Sequence, residues 1–213
     1  MDFFTSADFE LSQNIDYNIE VIDGETIVYL DNIYKNPDRV VEYLDSCPIL
    51  SHRTYRADVT NGLDFYDGRH TITESYDQSW NNIHGLVGAI MGINPIEWTN
   101  RCSFNMTTFN CSSKGHWFPH QDPGLINGLV YLNKCNNYGA GTSFYKPFKY
   151  KGKGEHIDPW CDYVEESHCI LDRFNCGVFF SGDIYHAMRV VGDTFVNKRR
   201  YTEVHFLARI AQR

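Results

Sequence analysis

Two amphipathic helical segments are followed by a succession of short apolar segments separated by Gly and Asn turns. This order predicts a mainly β, α+β chain: a jelly-roll barrel with helices packed on one side. Composition points the same way. Of 213 residues, 42% are apolar and 15% aromatic, with 14 Tyr and 14 Phe, a bias that suits sheet. No shift in composition marks a linker. Residues 1–213 are therefore expected to form one domain, with 1–98 as an arm, strands and supporting helices. Residues 99–213 are expected to form the barrel core, with an insertion at 146–170.

Residues 1–18 are polar and irregular and read as a partly ordered arm. Glu20 to Leu30 reads as two short strands around the Asp23-Gly24 turn. Asn36-Pro37 opens a helix, with Asn as cap and Pro at the first helical position. Val40, Val41 and Leu44 form its apolar stripe, and Asp38 sits at the positive end of its dipole. Residues 50–80 carry the turn signals Asn61-Gly62 and Asp67-Gly68 and are expected to be rich in loop. Ser79 to Met91 has helical periodicity through Ile83, Leu86, Val87, Ile90 and Met91, stopped by Gly92 and Pro95. From about residue 99 the pattern becomes strand-like: 102–109, 128–133, 141–145, 176–180, 186–191 and 200–207.

The formal net charge is −8, which disfavours a general phosphate-backbone binder. The basic clusters 149–153 and 198–200 are too short to make a nucleic-acid surface. No run of apolar residues is long enough for a membrane span. The N-terminus lacks the basic start and apolar run of a secretory signal. Seven cysteines, an odd number, with no C-x-x-C pair read as reduced thiols of a cytoplasmic protein.

His120 and Asp122 are two residues apart, so on a strand both side chains reach one point. Pro119 before them and Pro123-Gly124 after them place that point at a strand end. His186 follows a buried strand and a tight turn and opens another apolar strand, which aims its ring inward. Two imidazoles and one carboxylate can occupy one face of an octahedral ion and leave the other face open. That is the arrangement of non-haem Fe(II) oxygenases. Two zinc alternatives are weaker. His116 and His120 have helical spacing, but Pro119 argues against a helix and no Glu follows as in H-E-x-x-H. Cys161, His168, Cys169 and Cys176 match no standard finger spacing.

Arg200 and Thr202 share one face of the last strand, which continues inward through Val204 and Phe206. A guanidinium fork beside a hydroxyl suits a carboxylate. A dicarboxylic 2-oxo acid could chelate iron at one end and anchor its far carboxylate at Arg200. Tyr131 could bond the same carboxylate from a neighbouring strand, with Tyr145 and Asn105 as weaker candidates. Arg189 lies an odd number of residues from His186 and should face the other way. Lys198 and Arg199 read as an exposed turn.

With these residues in place, the chain resembles the Fe(II)/2-oxoglutarate-dependent dioxygenases, near the prolyl-hydroxylase-like branch. The resemblance rests on His120-x-Asp122, His186 and Arg200-x-Thr202. Around them stand Phe118-Pro119-His120-Gln121-Asp122, Val130-Tyr131-Leu132-Asn133, Gly139 to Tyr145, and Phe179-Phe180-Ser181-Gly182-Asp183. It covers about residues 100–210. Residues 31–37 and 61–69 are more loosely similar to small members carried by tailed phages, for which a host cytoplasm would be the setting. The resemblance implies a double-stranded β-helix, Fe(II), 2-oxoglutarate and O2. It implies His120, Asp122 and His186 as iron ligands and catalytic centre, and Arg200 with Thr202 as the 2-oxoglutarate anchor. It implies hydroxylation of a C–H bond in a peptidyl side chain or a small molecule. The second His and the basic anchor are more widely spaced than in many members, since Arg200 comes fourteen residues after His186. A longer turn accommodates this, and Arg199 or Lys198 is the fallback anchor. Residues 146–170 and 50–80 read as substrate lids, with Trp117, Trp160 and Tyr163 either at the entrance or packing those loops. A cupin-like metal or ligand binder without turnover, and a DNA-modifying virion component, are the other classes the sequence allows.

Overall fold

The computed structural model describes residues 4–46, 53–54, 65–71, 77–93, 98–109, 113–116, 119–122, 125–134, 139–146, 165–195 and 198–209. After a 3-10 turn at Ser6–Phe9, the chain forms β1 (Asp16–Ile22), β2 (Glu25–Asp31) and α1 (Pro37–Ser46). Next come β3 (Arg53–Thr54), β4 (Phe65–Thr71) and α2 (Asp77–Ile90). The remaining strands are β5 (Trp98–Phe109), β6 (Ser113–His116), β7 (Ile126–Tyr131), β8 (Gly141–Tyr145), β9 (Glu166–Leu171), β10 (Cys176–Ser181), β11 (His186–Gly192) and β12 (Arg200–Arg209).

The strands make two antiparallel sheets. One has eight strands in the order β1-β2-β10-β7-β12-β5-β4-β3, and the other has four in the order β6-β11-β8-β9. The side-chain alternation of a strand sorts the core into layers. Val28, Leu30, Val130, Phe179, Tyr201 and Leu207 leave one face of the large sheet and pack with Val40 and Leu44 of α1 and Ile83 and Val87 of α2. Their neighbours Ile27, Tyr131, Val178 and Phe180 leave the opposite face and meet Phe144 and Ile170 of the small sheet. This second layer fills a jelly-roll, double-stranded β-helix core. Among the described residues, no helix is long and apolar enough to cross a membrane.

The hairpin expected at Asp23-Gly24 is present, and both residues have positive φ, 52° and 87°. That pair of values is what a two-residue turn between twisted strands requires. Both helices lie where periodicity places them, and Gly92, at φ 70°, ends the second as a left-handed cap.

Two expectations need correction, and a third gains detail: the N-terminal arm, read as polar, irregular and partly ordered, carries fixed contacts. Residues 10–12 run beside 33–35 through Ser12 N–H to Ile33 O (2.8 Å) and Lys35 N–H to Glu10 O (2.9 Å), and Phe9 is buried in the helix-side core. Part of the expected 50–80 loop is β4, in which Asp67 and Gly68 pair with Thr107 and Met106 of β5. Backbone pairing with a long neighbour overrides the local turn signal. Within the expected 146–170 insertion, 166–171 is β9, the edge of the small sheet. An edge strand tolerates the polar sequence that made it look like loop. Asn61-Gly62, Pro95, Trp117, Trp160, Tyr163 and residues 147–164 lie outside the described residues.

A chain of buried polar groups crosses the helix–sheet layer. Tyr34 Oη donates to Glu203 (2.5 Å), Glu203 Oε1 lies 2.8 Å from His205 Nε2, and His205 Nδ1 lies 2.8 Å from His84 Nε2. Burial, and then the neighbouring His205, push the His84 imidazole down from 6.5 to about 3. The unfolded chain takes up a proton below its ordinary value that the folded chain refuses until near pH 3. Stability therefore falls as pH drops through that window. From pH 7 to pH 5 the expected loss from this group is about 2 kcal/mol. Urea unfolding midpoints at the two pH values should show it, and His84→Gln should flatten the difference. An equally steep pH dependence in that variant would contradict the assignment.

Candidate metal centre

His120 forms an isolated bridge with His186, held by His120 N–H to His186 O and His186 N–H to His120 O, both 3.0 Å. Sequence reasoning expected a strand at 120–122; the pairing is this single bridge, and it suffices to join the two histidines across 66 residues of chain. Asp122 Oδ2 lies 3.3 Å from His186 Nε2, and Asp122 Oδ1 lies 3.7 Å from His120 Nε2. The three potential ligand atoms all lie within 4.8 Å of one another. His186 is buried, while His120 and Asp122 are partly exposed. The cluster therefore sits at a mouth of the barrel.

His186 Nδ1 lies 3.0 Å from Ile184 O. A backbone carbonyl can only accept, so Nδ1 is the donor in this contact and Nε2 is the atom that faces Asp122. A carboxylate oxygen and an imidazole nitrogen 3.3 Å apart can bind one cation together. A first-row divalent ion with bonds of about 2.1 Å places neighbouring donors about 3 Å apart. The 3.3 and 3.7 Å carboxylate–imidazole distances are near that value, and the three atoms, which lie within 4.8 Å of one another, must draw closer to share an ion. Phe180 packs against the His186 ring, with centroids 4.8 Å apart, which limits rotation of the buried ligand.

The second predicted group is buried. β12 pairs with β5 and β7, and its start is fixed by Asn133, whose Oδ1 accepts from Tyr201 N–H (2.8 Å) and whose Nδ2 donates to Arg199 O (3.0 Å). This turns Arg200 and Thr202 inward, where both are buried. Arg200 Nη1 donates to Thr202 Oγ1 (2.9 Å) and Nη2 to Gly141 O (3.3 Å), while Nε has no hydrogen-bond partner. Burial pulls the guanidinium down from its ordinary value, against the opposing pull of Asp172 and Tyr131. Gly141 must be glycine at this approach: its φ is 149°, and a Cβ there would stand 1.9 Å from Ile170 O.

Tyr131 is buried in the same interior, its hydroxyl 2.7 Å from Thr142 Oγ1. Tyr145 is not with it. Tyr145 packs with Ala140, Ala187 and Phe195 in a separate cluster. The side chain of Asn105 lies outside the described residues. Arg189 faces away as expected, with Nε 3.7 Å from Glu166. Arg199 donates to Leu44 O and Asp45 O at the end of α1, and Lys198 is exposed. His116 ends a strand, which removes the helical zinc alternative. Cys169 and Cys176 belong to different sheets and are free. The residues that sequence reasoning missed are Asn133 as the clamp on β12, Ile184 as the carbonyl that accepts from His186 Nδ1, and Asp172. Asn133 follows the apolar run of β7, a position where a strand-end clamp could have been suspected. The other two carry no local signal.

A cavity of about 110 Å³ is lined by Gln121, the residue between His120 and Asp122, with Ile22, Ile27, Phe144, Ile184 and Tyr185 in its wall and Asp23, Glu25 and Asp183 also lining it.

Fold and site together define a double-stranded β-helix with a His, Asp, His cluster at its mouth and a buried arginine within. Solved structures with the same fold include an oxidoreductase of the 2OG-Fe(II) oxygenase family from Burkholderia pseudomallei. It is 15% identical, with 85% of this chain and 84% of that one covered and a TM-score of 0.55. The epimerase SnoN, solved with Fe3+, alpha ketoglutarate and nogalamycin RO, is 10% identical, with 86% and 78% covered and a TM-score of 0.57. A Pseudomonas putida prolyl-4-hydroxylase is 14% identical, with 81% and 85% covered and a TM-score of 0.48. No family model matches the sequence, and no curated protein matches it.

Proposed function

We propose that this chain is an Fe(II)- and 2-oxoglutarate-dependent oxygenase that hydroxylates a C–H bond of a peptidyl side chain or a small molecule. The observation that carries the reading is the donor set itself. One carboxylate stands between two imidazole Nε2 atoms at 3.3 and 3.7 Å, at the mouth of a barrel whose interior holds a buried arginine short of partners. The oxygenase folds that resemble it support the same choice.

In this reading His120, Asp122 and His186 hold the iron. Arg200 and Thr202 bind the far carboxylate of 2-oxoglutarate, and Tyr131 shapes the space beside them. When bound, the iron supplies the chemistry that couples O2 and 2-oxoglutarate to substrate oxidation, giving succinate, CO2 and the hydroxylated product. The chain's own contribution is orientation and dryness. The Ile184 carbonyl keeps the His186 lone pair aimed at the ion. The apolar layer of Phe144, Phe180 and Val178 excludes water from the interior. Substrate approaches through the cavity beside Gln121, whose apolar wall suits a hydrocarbon segment. The test is incubation with Fe(II), 2-oxoglutarate and O2. Succinate should form in proportion to 2-oxoglutarate consumed, even without substrate, at a slow uncoupled rate. No succinate from iron-loaded protein would leave a metal or ligand binder without turnover.

A further inference from the structure

Asp172 is a buried acid to which nothing above assigns a task. It follows β9, and its N–H donates to Ala140 O (2.9 Å), one residue before the Gly141 carbonyl that receives Arg200 Nη2. The Asp172 backbone and the Arg200 side chain are thus tied to the same Ala140-Gly141 segment. Asp172 Oδ1 and Arg200 Nε are each buried and each lack a hydrogen-bond partner. The two charges act on each other, yet no ion pair joins them among the described residues. Opposite charges buried together and left unpaired are costly, and a third group that bonds to both would offset that cost.

Resting on the oxygenase reading above, we infer that Asp172 is part of the 2-oxoglutarate site: it takes up a proton when the co-substrate binds and donates it to the carboxylate held by Arg200. The reason is charge. Arg200 and an ionised Asp172 cancel, so a second carboxylate would leave the closed barrel with a net negative charge. A proton on Asp172 restores neutrality and turns an acceptor into an O–H donor aimed at an acceptor. The groups facing Asp172 favour this. Arg200 comes from β12, Tyr131 from β7 and Cys169 from β9. Thr142 of β8, which bonds to Tyr131, is uncharged. Arg189 faces Cys169, not the interior. Burial already raises the Asp172 carboxyl above its ordinary value, with Arg200 opposing.

The experiment is calorimetric titration of 2-oxoglutarate into Mn(II)-loaded protein, in buffers of different ionisation enthalpy, across pH 6 to 9. Wild-type protein should take up about one proton per 2-oxoglutarate, and its Kd should weaken about tenfold per pH unit once Asp172 is ionised in the free protein. Asp172→Asn and Asp172→Ser should bind with no proton uptake and a Kd that does not change with pH. Binding to wild type without proton uptake, or uptake undiminished in both variants, would overturn the inference and leave the oxygenase reading standing. No binding of 2-oxoglutarate to wild type would overturn both. The wild-type proton count decides the first point even if neither variant folds.

Discussion

In Asp122→Ala, succinate formation from 2-oxoglutarate is expected to fall by about 100-fold or more, while the unfolding midpoint stays within about 1 kcal/mol of wild type. The two halves of that expectation have different origins. Asp122 is the only carboxylate in the cluster, and it lies between the two imidazoles. Without it, two neutral nitrogens remain to hold a dication. Its contribution to folding is small because it sits at the barrel mouth, outside the three apolar layers. A large loss of stability with proportionate loss of activity would make Asp122 a structural residue. Retained succinate production would remove it from the metal site.

Arg200→Met is expected to weaken 2-oxoglutarate binding by about 30-fold or more, equivalent to about 2 kcal/mol. The substitution removes a desolvated guanidinium whose Nε is unpartnered, and it also leaves the buried Asp172 without the opposite charge that acts on it, two effects of opposite sign on stability. The loss of binding is therefore the readout that tests the anchor. Arg199→Ala should show the opposite pattern. Arg199 donates to Leu44 O and Asp45 O near the C-terminus of α1, so its removal loosens that helix end by about 0.5 kcal/mol and leaves 2-oxoglutarate binding unchanged. If Arg199→Ala weakened binding more than Arg200→Met, the anchor would be misassigned.

What the sequence disclosed depended on how local each signal was. The Asp23-Gly24 turn, the start and stripe of α1 and the stripe of α2 are encoded within a few residues, and all three appear as read. The parity of β12 was also legible. Alternate residues of a strand must face opposite ways, so Arg200 and Thr202 lie in the barrel while Glu203 and His205 face the helices. The same rule turned Arg189 outward. Elements whose conformation is set by a distant partner were not legible. β4 is a strand because β5 pairs with it, although Asp67-Gly68 signals a turn. β9 is a polar edge strand that resembles loop. Phe9 was lost in a polar segment, because one apolar side chain makes no pattern. Asp172 sits in Leu171-Asp172-Arg173, which reads as a solvated pair of charges. Only the approach of Ala140-Gly141 across the barrel makes it a buried neighbour of Arg200. The sequence singled out the candidate ligands, and the fold supplied their separation.

Anaerobic Fe(II) binding to the wild-type chain and to His120→Ala, Asp122→Ala and His186→Ala tests the metal centre most directly. One ion per wild-type chain is expected, with binding weakened about tenfold or more by each substitution. Iron bound by all three variants as tightly as by wild type, or no iron bound by wild type, would contradict it.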